Sequence, residues 1–391
     1  MPIQTNQPRR AVAHIMTSAL TLSFLQLHLK TLKQTEIDYH LLANFDGTRF
    51  DADQDNGFHN IRLSRSMLRP QDIPAFFGLI RSLRRIKPKL VICSTPKGGL
   101  FGAMASLIAL PRTPRIFLVR GYRFITLTGM RRRLVKAMET LPAYLCQEIH
   151  CTSKETAALM IEMIGQKRAH KVHVVLNGTA NGIDTQNVFS PDAPNISPRA
   201  DVRARYGIAD NAPLVVFVGR VCIDKGMLEL SQALEAVKAR HPDMQLLVVG
   251  ENDKSDPLPA DAQARLDALA VRAGRVENHL LPEVVAAADL LVFPSRREGF
   301  GIAAIEAAAM GTPTLAARVG GLQSAVAEGV SGEFFTCGDA DDLAEKMNTM
   351  LDDPEKLAAL RATAREHAVA GFDKTLYDAY WLDLYRGRPV Q

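Results

Sequence analysis

Two glutamates eight positions apart, Glu298 and Glu306, bracket the segment Gly-Phe-Gly-Ile-Ala-Ala-Ile. The apolar run Leu290-Leu-Val-Phe-Pro-Ser295 before them reads as a buried parallel strand. Ile305-Glu-Ala-Ala-Ala-Met310 is a good helix sequence. Gly299 and Gly301 therefore sit where a strand turns into a helix. Such a turn lets backbone N–H groups approach an anion at the helix N-terminus. The two carboxylates are acceptors of the kind a sugar or a ribose needs. A plain turn also uses Gly-x-Gly, and glutamates at a helix start also suit its dipole. A retaining glycosidase needs its carboxyls ~5 Å apart, whereas eight helical positions rise roughly 12 Å. The spacing fits two separate contacts along one long ligand.

A second loop, Val218-Gly-Arg220-Val-Cys-Ile-Asp-Lys225-Gly226, also runs from a strand into a helix. Arg220 can grip a diphosphate bidentately and Lys225 as a point charge. Either alone reads as a surface residue. With the Glu298–Glu306 element on a neighbouring strand end, they predict anion binding at the carboxyl edge of one sheet. Asp51-Ala-Asp53 and Asp339-Ala-Asp341 match an Asp-x-Asp metal pattern, but both lie in polar, loop-like stretches and read as solvated. The ten histidines show no ligand spacing, and no metal is expected.

Strand-like runs that alternate with helical patterns must position these loops. Val12–Met16, Tyr39–Ala43, Leu90–Ser94, Arg115–Val119, Glu148–Thr152 and Lys171–Leu176 are the candidates of a first half. Leu214–Val218, Gln245–Val249, Val276–Leu280, Leu290–Phe293, Pro313–Ala316 and Gly332–Phe335 are those of a second. The alternation predicts an α/β protein of two doubly wound parallel-sheet, Rossmann-like domains. The Pro-rich stretch Phe189–Pro198 reads as the linker. This sets an N-terminal domain at 1–190 and a C-terminal one at 191–371. The tail 372–391 reads as a helix packing back on the first domain, its stripe of Tyr377, Tyr380, Trp381 and Leu384 taken as packing.

The chain has 391 residues, 47% of them apolar, enough for substantial cores. Five scattered cysteines without a Cys-x-x-Cys pair suggest a reducing compartment and no zinc site. The stretch from Arg9 to Leu29 is too broken by polar residues for a signal peptide. Leu100–Leu110 is too short to cross a bilayer, which takes ~20 residues. The net charge of +5 conceals an asymmetry: residues 61–138 hold 17 Lys or Arg and one acidic residue, Asp72. Unmixed positive charge points to an anionic surface, lipid headgroups or diphosphates. Little aromatic interleaving argues against nucleic acid.

With these residues in view, the chain resembles a retaining glycosyltransferase of the GT-B fold, within glycosyltransferase family four. The likeness rests on Glu-x7-Glu at 298–306, with Ala287-Ala-Asp289 and Pro294-Ser295 before it and Gly311-Thr-Pro313 and Gly320-Gly321 after it. The Gly219-Arg220…Lys225-Gly226 loop and Asn181-Gly-Ile-Asp184 add to it. The resemblance implies that Arg220 and Lys225 hold the diphosphate of a nucleotide sugar, that Glu306 bonds the ribose hydroxyls and that Glu298, a catalytic candidate, contacts the sugar. It further implies that the backbone at Gly299, Phe300, Gly301, Ile302 and Ala303 binds sugar and phosphate, and that Arg275 and Val276 lie against the base. Ser94-Thr-Pro-Lys-Gly-Gly-Leu-Phe-Gly102 is similar to a segment of bacterial transferases that build capsule, O-antigen or glycan on a polyprenyl diphosphate. Lys97, Gly98 and Arg123 are its acceptor-side candidates. Many relatives carry His-Gly where this chain has Arg120-Gly121. Arginine stays charged and cannot act as a base, so Arg120, the second catalytic candidate, would stabilise charge on the diphosphate.

The expectation is thus a cytoplasmic, metal-independent, retaining hexosyltransferase at the inner membrane face. It would move a sugar, UDP-linked, to a polyprenyl-diphosphate-linked acceptor in surface polysaccharide or lipopolysaccharide synthesis, with no bound cofactor. Its basic region would meet anionic lipid. Two alternatives stand beside it: a nucleotide-sugar epimerase of the same fold, which leaves the basic region unexplained, and a non-catalytic scaffold or binding protein, against which the intact Arg220, Lys225, Glu298 and Glu306 count.

Overall fold

The structure, a computed structural model, describes residues 10–18, 29, 31, 32, 35–46, 57–64 and 69–388. Asp51 and Asp53 lie outside them. Two compact units emerge. One comprises residues up to Asn181 together with those from Leu376 onward, and the other is Gly182–Thr375. The boundary precedes the Pro-rich stretch expected to be a linker. Phe189, Ser190 and Ala193 of that stretch are buried instead, with Arg365 Nη1 reaching the Phe189 carbonyl at 3.5 Å. Proline breaks secondary structure without forbidding packing, so composition alone misplaces the joint.

The first unit is built on β1 (Arg10–Ser18), β2 (Ile37–Asn44), β3 (Phe58–Asn60), β4 (Leu90–Ser94), β5 (Arg115–Val119), β6 (Glu148–Cys151) and β7 (Val172–Val174). They form one parallel sheet in the order β3-β2-β1-β4-β5-β6-β7. Residues in a strand alternate between faces. One face shows Ala13, Ile15, Val91, Cys93, Phe117, Val119, Ile149 and Cys151, all buried in one apolar core. Helices Asp72–Ile86, Pro96–Ala109 and Gly129–Leu145 contribute Leu79, Leu83, Ala103 and Val135 to it.

The opposite face carries His14, Ile92, Ser94, Leu118 and His150 by strand register. The C-terminal helix Lys374–Arg386 supplies Tyr377, Tyr380, Trp381, Leu384 and Tyr385, all buried in the same unit. The aromatic stripe is therefore packing, but packing with polar ends. Tyr380 Oη bonds His150 Nδ1 at 2.8 Å. Trp381 Nε1 donates to the Ala180 carbonyl at 2.6 Å, and Tyr377 Oη to that of Gly178 at 2.6 Å.

The second unit is built on β8 (Leu214–Val218), β9 (Gln245–Val249), β10 (Ala270–Gly274), β11 (Leu290–Phe293), β12 (Thr314–Ala317) and β13 (Gly332–Phe335). The sheet is again parallel, in the order β10-β9-β8-β11-β12-β13. The strand expected at Val276–Leu280 is not one. The chain turns there, Leu280 N donating to the Glu277 carbonyl at 2.9 Å, because Glu277, Asn278 and His279 cannot be buried on a sheet. The actual strand, Ala270–Gly274, is only half-buried and lacks the apolar run that marks its neighbours. The order reverses between β8 and β11, and ligands of such sheets bind beyond the carboxyl ends of the strands at that point. The loops that follow β8 and β11 are the two singled out by their chemistry.

Trp381 is the chain's single tryptophan and is 3% exposed. Trp381→Ala is expected to cost ~3–5 kcal/mol of stability, read as a lowered midpoint in urea unfolding followed by circular dichroism.

Candidate active site

Close approach of backbones builds the site. After β8 the chain makes one tight turn at Ile223–Lys225 and enters helix Met227–Arg240 through Gly226, at φ 71°. A Cβ on Gly226 would stand 1.8 Å from the Pro294 carbonyl oxygen. Only glycine lets this loop press onto the chain leaving β11. Side chains then lace the two loops together. Arg296 N donates to the Asp224 carbonyl at 3.0 Å, Arg297 Nε to Asp224 Oδ1 at 2.6 Å and Arg296 Nη2 to Glu229 Oε1 at 2.6 Å. Lys225 Nζ makes a short ion pair with Glu298 Oε1. Ser295 Oγ donates to the same oxygen at 3.0 Å.

The turn into helix Ile302–Ala309 passes through Gly301, at φ 96° and too crowded by Leu322 for a Cβ. Phe300 is buried on the ring of Phe372, centroids 5.5 Å apart, so only its backbone can serve a ligand. Gly299, Ile302 and Ala303 keep partial exposure. Glu306, the fifth residue of the helix, has no side-chain hydrogen bond or ion pair among the described residues. Burial, with no cation to offset it, pushes its carboxyl up to about 7.

Arg220 is largely exposed and pairs with Asp253. Asp253 lies on the loop after β9, which a backbone bond from Val221 N to the Glu251 carbonyl, 2.9 Å, ties to the Arg220 loop. Here Glu251, Asn252, Lys254, Gln263, Asp267 and Arg272 line an open cleft of about 750 Å³. Arg275 and Val276 follow its rim residue Gly274, Arg275 exposed and Val276 partly so. Asp253 and this loop were missed in the sequence. Gly250-Glu-Asn directly after a recognised strand, on the same carboxyl edge as Arg220, was the available signal. Asp289 of the Ala-Ala-Asp segment is structural: it accepts from Leu214 N at 2.8 Å and from Arg203 Nη2 at 2.9 Å, joining β8 to β11. Asp339 caps helix Ala340–Leu351, accepting from Asp341 N and Asp342 N at 3.0 Å.

In the first unit the candidates separate. Lys97, expected to meet an acceptor, is 4% exposed, with Nζ 2.8 Å from Asp72 and 2.5 Å from Ser64 Oγ. Its charge is spent inside the fold, and the one acidic residue of the basic region is spent with it. Gly98 N donates to Thr17 Oγ1 at 2.9 Å, docking helix Pro96–Ala109 on β1. Arg123 is exposed, its backbone N–H held by Glu139 at 2.9 Å. Arg120, just past β5, is partly exposed and makes no hydrogen bond among the described residues, with Nε and Nη2 cut off from solvent.

Two parallel α/β sheets of this order define a protein of the GT-B class, and comparison with known proteins agrees. Residues 198–367 match the model "Glycosyl transferases group 1", and residues 25–186 match "Glycosyltransferase Family 4". Together these take in most of the chain, which belongs to glycosyltransferase family 4. It is 25% identical to the capsular polysaccharide biosynthesis glycosyltransferase CapM of Staphylococcus aureus, over 88% of each chain. It is 39% identical to D-inositol 3-phosphate glycosyltransferase 1 of Catenulispora acidiphila, over 53% of this chain and 48% of that one. The fold matches Anabaena HepE, solved in complex with UDP and glucose, at a TM-score of 0.76 and 19% identity over 97% of this chain and 100% of that one.

Glu306 yields a test independent of activity. A carboxyl raised in the folded state is at ease while protonated, and its contribution is lost as pH rises through about 7. Glu306→Gln should therefore stabilise the protein by ~2 kcal/mol at pH 8, and by much less at pH 5. Thermal melts at the two pH values check it.

Proposed function

We propose that the protein transfers a sugar, with retention of configuration and without a metal, from a UDP-sugar to a polyprenyl-diphosphate-linked acceptor at the inner face of the cytoplasmic membrane. The observation that carries this is the placing of Arg220 and Lys225 on the loop beyond β8, of Glu298 on the loop beyond β11 and of Glu306 in the helix that follows it, with Lys225 and Glu298 paired. HepE's complexes with UDP and glucose support the donor, and CapM's role in capsular polysaccharide supports the product class. Arg220 and Lys225 take the diphosphate. Glu306 takes the ribose diol, and the contact returns part of what burying its carboxyl costs. Glu298 serves the sugar ring. Its pairing with Lys225 ties that contact to the phosphate. Arg120 meets the charge that develops on the leaving diphosphate. The acceptor proton goes to that diphosphate.

Arg220→Ala and Lys225→Ala should each weaken UDP-sugar binding by ~1.5–3 kcal/mol, measured by calorimetry. Glu306→Gln should chiefly raise the donor KM, since ribose is held alike throughout the reaction. Glu298→Gln should chiefly lower kcat, since the ring gains positive charge as its bond breaks. Activity should survive EDTA, and the product should keep the donor's anomeric form. An inverted product, or chelation rescued by Mg²⁺, would overturn the mechanism. Interconversion of nucleotide sugars without any acceptor would favour the epimerase, and binding without turnover the scaffold.

The membrane reading rests on the surface of the first unit. Arg81, Arg84, Arg85, Lys87, Lys89, Arg123, Arg131, Arg132 and Arg133 are exposed, and no acidic residue described between 61 and 138 is. Helices Asp72–Ile86, Pro96–Ala109 and Gly129–Leu145 lie side by side. They expose Ile73, Phe77, Met104, Leu107, Ile108, Met130 and Leu134, Met130 to 75%. Basic and apolar groups mixed on one surface suit a bilayer interface. No described helix is long and apolar enough to cross a membrane. Flotation with anionic vesicles should show binding that salt weakens, and Arg131, Arg132 and Arg133 reversed together to Glu should lose ~3 kcal/mol. Equal binding to neutral vesicles would refute it.

A further inference from the structure

Between residues 61 and 147 the chain has two acidic residues, Asp72 and Glu139, and both are 2% exposed. Asp72 is neutralised by Lys97. Glu139, on helix Gly129–Leu145, makes no ion pair among the described residues. Its carboxylate is taken up by the loop after β5 instead. Arg123 N donates to Oε1 at 2.9 Å and Phe124 N to Oε2 at 3.3 Å. Burial raises the carboxyl above its usual range, while those two N–H groups and the Arg123 charge pull it back. A buried carboxylate without a contacting cation is a costly way to satisfy two amides. Nothing in the transfer reaction above uses it.

The two amides open the single turn Phe124–Thr126, and the first N–H groups of a helical turn have no partner within it. The residue before them is fastened as well. Tyr122, 5% exposed, donates from Oη to the Thr156 carbonyl of helix Lys154–Ile164 at 2.8 Å. Phe124 is 2% exposed and belongs to the apolar core. Arg132 Cζ and Lys136 Nζ lie 6.0 and 5.5 Å from its ring centroid. Three consecutive residues are thus fastened to two helices, through backbone N–H groups or through rings. The side chains left accessible beside them are those of Arg123, exposed, and Ile125, 49% exposed. The loop stands at the carboxyl end of β5, the edge at which parallel α/β sheets receive ligands.

We propose that Glu139 is a positioning residue, which fixes the loop after β5 so that the Arg123 guanidinium is presented to the diphosphate of the lipid acceptor. An arginine on a loose loop gives up the freedom of that loop when it binds, whereas one on a fastened loop has already done so. A carboxylate suits the task because both its oxygens accept and neither donates. Glutamine in its place offers one oxygen and turns an NH2 group toward the second amide. This rests on the acceptor reading given above and adds to it a residue that touches no substrate.

The probe is farnesyl diphosphate, titrated by calorimetry with UDP at saturation, so that the loops of the second unit are already occupied. Arg123→Ala should weaken it ~10-fold, the loss of one charge-assisted contact. Glu139→Gln should weaken it ~5-fold or more and speed hydrogen exchange at the Arg123 and Phe124 amides, with UDP affinity and exchange in β4 and β5 unchanged. In the double variant the losses should not add. Arg123→Ala then costs less than ~3-fold, because a loosened loop no longer presents the guanidinium. Tyr122→Phe, which keeps the ring and releases the Thr156 carbonyl, should act in the same direction, and it replaces Glu139→Gln in the cycle if that variant does not fold. Additive losses, or unchanged farnesyl diphosphate affinity despite faster exchange, would overturn the proposal. Weakened UDP or faster exchange throughout the sheet would overturn it too, by showing that Glu139 only supports the fold. Wild-type protein that binds no farnesyl diphosphate removes the acceptor reading and the positioning role with it. Wild-type binding that Glu139→Gln leaves intact removes the positioning role alone.

Discussion

The candidate active site depends on one van der Waals constraint, the seat of Gly226 against the Pro294 carbonyl. Two loops that leave separate strands must touch before their side chains can act together, and a single methyl group would part them. Once they touch, Asp224, Glu229, Arg296 and Arg297 clamp them, and Lys225 reaches Glu298. The strand order places the loops side by side, the glycine closes the gap and the ion pairs hold the result. Each exposed ion pair is worth little alone. Their value here is geometric, since together they leave the loop few conformations.

The legible parts of this protein were those where burial is symmetrical. Leu90–Ser94, Leu214–Val218, Gln245–Val249 and Leu290–Phe293 are strands buried on both faces, and their unbroken apolar runs announce both element and limits. β3 and β10 are edge strands, one short and both half-exposed, and neither carries such a run. The place of Arg220 and Lys225 after β8, and of Glu298 after β11, was legible for a related reason. Charges and glycines just after a buried strand can only stand at its carboxyl end. Lys97 was illegible because its partner, Asp72, is 25 positions away, and charge counting cannot tell a paired buried lysine from a solvated one. Asp253 was overlooked because its loop follows a strand without glycine-to-helix punctuation.

Charge is distributed unequally between support and function. Where a buried charge supports the fold it is saturated with partners, as around Asp72 and Asp289. Glu306 and Arg120 are the opposite, desolvated and unpaired. One is an acidic residue in the second unit and the other a permanent cation in the first. Electrostatic preorganisation of this kind lowers stability where it stands, and the saturated clusters lie within the same sheets.

The return of the last helix to the first sheet has a consequence for how the chain is made. All seven strands of that sheet have been synthesised by Val174, but the aromatic side chains that cover one of its faces come only after Leu376, with the whole second unit between. At ~5–20 residues per second of translation, the ribosome takes roughly 10–40 s to supply them. During that time His14, Leu118, His150 and Arg120 face water or a chaperone. The first unit is thus begun first and finished late, and the buried face of its sheet can be closed only after helix Lys374–Arg386 has been made.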